Sequence, residues 1–490
     1  MESGSYTLSI DLGTSALKSI IYDKEFRIVS SSTEETETIH LKPTWAEQDQ
    51  TIWRKSAASA IKKTLSKAGA EPDDVKMIGI CAQSHGPSLV DEECNPMTHC
   101  LIWPDLRAVS QAEEFNRNNY PWKISAHYTA AKLLWIKQKM PEIYDKAYRF
   151  LVPTDFLRTV LTGDLRTDPT SAHSTQMFDR DGQTWNWEMI DALGLRNDLF
   201  PNIHPTGEIA GLVTNRAAEE MGLDEGTPVI TGGGDFSVTT PVLNRIGAKN
   251  SLLLYLGTAP IAGLIDDDGK WVSFGGMSAS GGAALKWFKE QFCSVEEELA
   301  KKNDENPYAI MDRKMSMIEP GSECLVFLPH MMGERSPYND YARGVISGLS
   351  LGHTREHIMR ALLEGITFQL RSYWENAQAR KRYEAKRIIV FGGGAKSSFW
   401  RQLIADTFGY PSYRLRSNDL GALHLAALSS IALGYYKNLD NAYEKIDLSV
   451  EDRLEPTPGT KETIEKAYKH FLRIEENAKG TFNSDNACCV

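Results

Sequence analysis

Glycine at the ends of apolar strands limits the folds open to this chain. In Ile230-Thr-Gly-Gly-Gly-Asp235 an apolar strand runs into three glycines and then a carboxylate. Three glycines strip the turn of side chains, so backbone N–H groups and one acid can approach a ligand closely. A second acid-and-glycine turn, Asp11-Leu-Gly-Thr-Ser15, lies near the N-terminus, and a third run, Gly392-Gly-Gly-Ala-Lys396, follows a strand late in the chain. Each alone reads as a turn. Three of them, far apart, match the needs of a two-lobed nucleotide enzyme.

The rest of the pattern repeats in two halves. Tyr6–Asp11, Leu17–Tyr22 and Arg27–Ser32 alternate and predict an antiparallel meander. Gln50–Ala68 is predicted helical, with Trp53, Ala57, Ile61 and Leu65 on one face and Gly69 ending it. Val75–Ala82 is a buried strand, helices follow near 105–116 and 130–138, and Pro153–Pro205 reads as a turn-rich insertion. After Asp235, strand Ser251–Leu256 ends in Gly257-Thr258, echoing Gly13-Thr14. Helix 283–292, strand 324–328, a long helix 355–380 capped by Thr354, strand 387–391 and helices 398–408 and 420–433 complete the pattern. Mixed strands and helices in each half predict two α/β lobes with a boundary near 245–252. A length of 490 residues agrees with two domains.

The motifs then suggest chemistry. No phosphate loop of the Gly-x4-Gly-Lys-Ser/Thr type is present, and Gly392–Ser397 fails the dinucleotide fingerprint at its third glycine. Asp11-Leu-Gly-Thr-Ser15 between antiparallel strands offers another geometry: amides and hydroxyls toward phosphate, and an acid able to hold Mg²⁺ through water. Lys18 would place a cation nearby; the plain alternative is a hairpin turn. Gln83-Ser-His85-Gly86 closes a buried strand at the edge where α/β ligands bind, although a single His is also a common structural group. Trp103-Pro-Asp105-Leu-Arg107 sets an aromatic face, an acceptor and a fork of donors within five residues. It could grip a polyhydroxylated ligand or form a surface salt bridge at a helix start.

Composition excludes other classes. The net charge of −11 argues against a general nucleic-acid binder. No apolar run reaches bilayer-spanning length and the N-terminus lacks a signal-peptide pattern, so a cytoplasmic location is expected. Seven irregularly spaced cysteines make no disulfide framework, and Cys81, His85, Cys94, His99 and Cys100 match no standard zinc spacing. Ala487 stands where a prenylation box needs Cys.

Together these segments resemble the FGGY carbohydrate kinases, most closely the xylulokinase branch. The resemblance runs from Ser9 to about Tyr436 and includes, besides the turns above, Trp45-Ala-Glu-Gln-Asp49, Lys132-Leu-Leu-Trp135, Ser280-Gly-Gly282, Leu328–Pro337, Gly344–Leu349 with Arg360–Gly365, and Trp400 with Ala405-Asp406. It implies two actin-like, ribonuclease-H-like ATPase lobes with an interlobe cleft that closes over ATP and sugar. The lobes would span 1–248 and 249–475, with a flexible tail at 476–490. By resemblance Asp235 is the catalytic base and also touches the sugar, and Asp11 is the acid associated with Mg²⁺. Gly13, Thr14 and Ser15, with Lys18, and Gly257 and Thr258 form the phosphate turns; Gly393, Gly394, Ala395 and Lys396 line the adenosine pocket. Ser84, His85, Trp103, Asp105 and Arg107 are the sugar contacts.

The chain departs from the family pattern at Ser84, Pro104, Phe236, Pro241, Ala259-Pro260 and Ser171-Ala172-His173-Ser174. Most of these lie on the sugar side. The expectation is therefore an ATP- and Mg²⁺-dependent kinase of a small ketose, a pentulose such as D-xylulose. The alternatives are ribulose, a pentitol or a tetritol as acceptor, a non-catalytic sugar-binding regulatory protein on the same fold, or a filament-forming actin relative. The partners expected are the sugar and ATP, with no nucleic acid and no membrane, and the apolar C-terminal helices would allow a homodimer.

Overall fold

The structure, a computed structural model, describes residues 4–246, 251–266, 271–277, 280–335, 338–381 and 383–482. The described residues form two compact units, one of residues up to Arg245 with Asp419–Ile446, the other of Ile246–Asn418 with residues 447–482.

In the first unit Tyr6–Leu12 pairs antiparallel with Ala16–Tyr22, which pairs antiparallel with Ile28–Glu35. The other edge of Tyr6–Leu12 pairs parallel with Val75–Ala82. Beyond it lie Pro228–Ile230, parallel, and Ile209–Leu212, antiparallel at the edge. The second unit repeats this order. Trp271–Met277, Pro260–Ile265 and Ser251–Leu256 form the meander, Arg387–Phe391 and Ser412–Leu415 add in parallel, and Val450–Leu454 closes the edge antiparallel. Strands buried on both faces explain the continuous apolar runs at 75–82, 251–256 and 387–391.

Helices cover these sheets. Gln50–Ala68, Arg355–Arg380 and Ser398–Phe408 form with the predicted bounds, and Gly69 and Gly409 take the left-handed backbone that ends two of them. The long helix buries Leu362, Ile366 and Leu370 in one core cluster with Leu252, Leu254, Ile388 and Val390. A separate apolar cluster under the insertion runs from Leu89 to Phe200 and packs Phe150, Trp185 and Phe200 edge to face. The insertion thus begins well before Pro153.

The compact units are not the contiguous halves expected from a division at 248/249. Residues 419–446 join the first unit, because helix Leu420–Ala432 lies against its central strand. Ser9 Oγ donates to the Ala422 carbonyl at 2.8 Å, and Leu425 is buried among Met77, Cys81, Ile230 and Val238. The expected boundary near 245–252 and the expected tail fall partly on 247–250 and 483–490, outside the described residues. Helix Lys461–Lys479 occupies the start of that tail.

Candidate functional site

The first unit builds its site at the C-terminal ends of three parallel segments. Cys81 pairs with Asp11 on one side and with Gly233 on the other, so Asp11 and the Gly232-Gly-Gly-Asp235 turn flank one strand end. Each glycine is required by close approach. A Cβ on Gly232 would overlap the Ile80 carbonyl oxygen, and one on Gly234 would lie 2.6 Å from Ser84 Oγ. The turn is held by hydroxyls from the insertion. Gly234 N donates to Thr170 Oγ1 at 3.0 Å, Thr170 donates onward to buried Asp168, and Thr154 Oγ1 donates to the Gly233 carbonyl at 3.2 Å. Helix Asp235–Arg245 starts at the acid itself.

Burial raises the Asp235 carboxyl to about 7; the charge of Asp11 adds to this, and the Phe236 amide, 2.7 Å from Oδ1, opposes it. Asp11 is raised to about 6, first by burial and then by Asp419, against the lowering effect of Cys81 and Lys18. Lys18 Nζ lies 2.5 Å from Asp419 Oδ2. Asp419 was missed by sequence reasoning; its only signal is an acid at the start of an apolar helix. Burial and the neighbouring carboxylates push the Cys81 thiol well above its usual range, so it stays protonated.

The Asp11–Ser15 turn is a hairpin, as the plainer reading had it, and it is braced from several directions. Gly13 N donates to the Ala16 carbonyl, and the Thr14 carbonyl accepts from Gln48 Nε2 at 2.7 Å and Thr36 Oγ1 at 2.9 Å. Trp103 Nε1 donates to Thr14 Oγ1 at 2.8 Å, which joins the expected sugar-side aromatic to the expected phosphate turn. His85 adopts φ of 72°, costly for a residue with a Cβ, and its Nδ1 donates to the Ser174 carbonyl at 2.6 Å. The ring also meets Tyr128 edge to face.

Asp105 and Arg107 bond to neighbouring protein groups. Asp105 has no exposed surface and accepts from Ala46 N at 2.6 Å and from the Arg107 main chain and guanidinium. Arg107 reaches Glu47 at 2.7 Å and lies over the Trp45 ring. The ion pair anticipated at a surface is buried, and it fixes the loop that carries Trp103.

In the second unit two turns leave adjacent parallel strands, since Tyr255 pairs with Phe391. Gly257-Thr258 is packed against the next helix, where Ala283 N donates to the Thr258 carbonyl. Gly392 takes φ of 90°, followed by the short 3₁₀ turn Gly393–Lys396. Gly393 faces open space and Lys396 is exposed, whereas a Cβ on Gly394 would meet Trp400 at 2.5 Å. Ala395 is fully buried, so its methyl supports the turn from the core.

Family models of the FGGY carbohydrate kinases match the chain, the N-terminal domain at residues 6–240 and the C-terminal domain at 257–433. A xylulose kinase of Staphylococcus epidermidis is 29% identical, over 96% of this chain and 97% of that one. A gluconokinase of Bacillus subtilis is 26% identical, over 96% of each. Among solved structures, a ligand-bound xylulose kinase from Lactobacillus acidophilus superposes with a TM-score of 0.74 at 24% identity, covering 97% of this chain and 99% of that one. Among the described residues no helix is long and apolar enough to cross a membrane.

Proposed function

Because the chain belongs to the FGGY family of carbohydrate kinases, we propose that it transfers the γ-phosphoryl group of ATP to a hydroxyl of a small ketose, a pentulose such as D-xylulose. The relatives named xylulose kinase support the substrate class. The seat of Asp235 carries the mechanism. Its carboxyl titrates at about 7, so near neutral pH it can take a proton from a sugar hydroxyl and release it again.

The remaining roles follow from placement. Ser84 and His85 leave the same strand end that Gly234 abuts, and they support contact with the acceptor together with Trp103. Asp105 and Arg107 act by holding the Trp103 loop. The hydroxyls of Thr14 and Ser15, in the turn that Gly13 closes, are suited to phosphate oxygens, as are Gly257 and Thr258 in the second unit, where Gly393, Gly394 and Lys396 would take the adenosine. Lys18 serves through its pair with Asp419.

Asp235, Asp11 and Asp419 form a series in which each carboxylate raises the previous one, which suits a hard divalent cation. Asp11 would hold Mg²⁺, which when bound supplies charge neutralisation to the phosphates. Coupled ADP release over a panel of ketoses, pentitols, tetritols and gluconate tests the reading. Sugar-stimulated turnover on a pentulose is expected; no turnover above water-driven hydrolysis on any acceptor would overturn it.

A further inference from the structure

A second cluster of ligating groups lies in the second unit, on other elements than the nucleotide turns. Helix Lys461–Lys479 brings Glu475 Oε1 to 3.5 Å from Nε2 of His330, a residue only 1% exposed. Glu334 accepts from Tyr373 Oη at 3.1 Å. One donor atom from each of His330, Glu334 and Glu475 lies within 4.8 Å of the other two. Among the described residues it is the single such grouping of His, Cys, Asp and Glu. The nearby ammonium of Lys479 is paired with Glu476 at 2.6 Å.

An independent observation comes from Gln369, which is fully buried on the long helix. Its Nε2 is 3.1 Å from His330 Nδ1 and 3.4 Å from Glu334 Oε1, while Oε1 has no partner. A buried amide oxygen without a partner is costly. A half-turn of this amide exchanges its two ends and presents the oxygen to the cluster, where an ion or an imidazole N–H would satisfy it.

We infer that His330, Glu334 and Glu475 form a binding site for a divalent transition metal of the Zn²⁺ class, with Gln369 turning its oxygen toward the cluster when the ion enters. Imidazole nitrogen with carboxylate oxygen suits such an ion, whose ligands stand about 2.0–2.2 Å from it. The donors, within 4.8 Å of one another, would close on the ion by rotation of the two glutamates. The site joins the long helix and the 330–334 segment to a helix beyond residue 433, where the family model's match ends. Bound metal would staple the C-terminal helix to the unit and stabilise only the folded chain.

The test uses the full chain, stripped with EDTA and held in excess Mg²⁺, titrated calorimetrically with ZnCl₂ and followed by thermal unfolding. One equivalent bound at micromolar or tighter affinity, with a raised Tm, is expected. Glu475→Gln, and separately His330→Gln, should lose that equivalent or weaken it at least about 10-fold, while Glu475→Gln keeps its Mg²⁺-dependent turnover. Should His330→Gln fail to fold, Glu475→Gln decides alone. No saturable Zn²⁺ binding, or binding unchanged in the variants that fold, would overturn the site.

Discussion

Lys18 Nζ lies 2.5 Å from Asp419 Oδ2, joining residues 401 positions apart in the first unit. The pair is partly exposed, so it adds little to stability. Its consequence is electrostatic, because Asp419 raises Asp11 while Lys18 lowers it. Asp419→Asn removes the raising charge and frees Lys18 to act on Asp11 alone. The lower of the two acid-side ionisations expected in kcat/KM, that of Asp11 at about 6, should therefore move to lower pH, with little change in kcat at pH 8. A pH–rate profile of both proteins checks this, and an unmoved limb would show that Asp419 does not reach Asp11.

Loss of the proposed base, Asp235, should act on chemistry more than on binding. Asp235→Asn is expected to cut kcat by about 10²–10⁴-fold with sugar KM altered far less. In the parent protein kcat should rise with pH to half its plateau near 7, because a carboxylate proposed as the base acts in its ionised form and burial raises Asp235 to about 7. Steady-state kinetics from pH 5.5 to 8.5 measure both. Turnover surviving the substitution within tenfold would remove Asp235 from the mechanism.

The same residue carries a stability effect of opposite sign. Its folded pKa, about 7, stands above the ordinary 3.8. That contribution is fully present below 3.8 and is lost as pH rises through about 7. An uncharged Asn keeps it at all pH values. Asp235→Asn should therefore melt higher than the parent at pH 8, by roughly 2–4 °C for each kcal/mol recovered. The gap should narrow at pH 5.5, and differential scanning fluorimetry at the two pH values tests the sign.

Thr170 holds the glycine turn by accepting from the Gly234 amide and donating to Asp168. Thr170→Val strands the Gly234 amide and removes a donor from Asp168, an expected loss of about 1–3 kcal/mol. A looser turn should also lower kcat by roughly 10-fold or more. Thr170→Ser, which keeps the hydroxyl, should restore kcat. A kcat that follows only Tm in both variants would reduce Thr170 to a structural role.

Gly232→Ala places a methyl on the Ile80 carbonyl oxygen, a backbone atom that cannot swing aside. Overpacking at a central strand should cost roughly 3 kcal/mol or more. Urea unfolding of the soluble fraction, compared with Gly393→Ala at an open position, separates close approach from a general intolerance of alanine.

Much of this molecule follows from local rules. The bounds of Val75–Ala82, Gln50–Ala68, Arg355–Arg380 and Arg387–Phe391 match the periodicity of the sequence, since strand and helix repeats and glycine stops act over a few residues. The positions of Asp11, Ser84, His85 and Asp235 beside strand ends were legible for the same reason, since each stands just where a strand meets a glycine turn.

Other features depend on neighbours distant in sequence. Nothing around Asp419 marks it as a partner of Lys18, and nothing around Thr170 marks it as a support for Gly234. Asp105 and Arg107 read as ligand groups or a surface pair until Ala46, Glu47 and Trp45 enclose them. Sequence by itself determined the strands, the helices and the acids at their ends, because those are set by short-range sterics and hydrophobic period. Only the tertiary structure decided which acids share a site, how far burial raises them, and that residues 419–446 return to the first unit, because desolvation and charge coupling depend on distance in space.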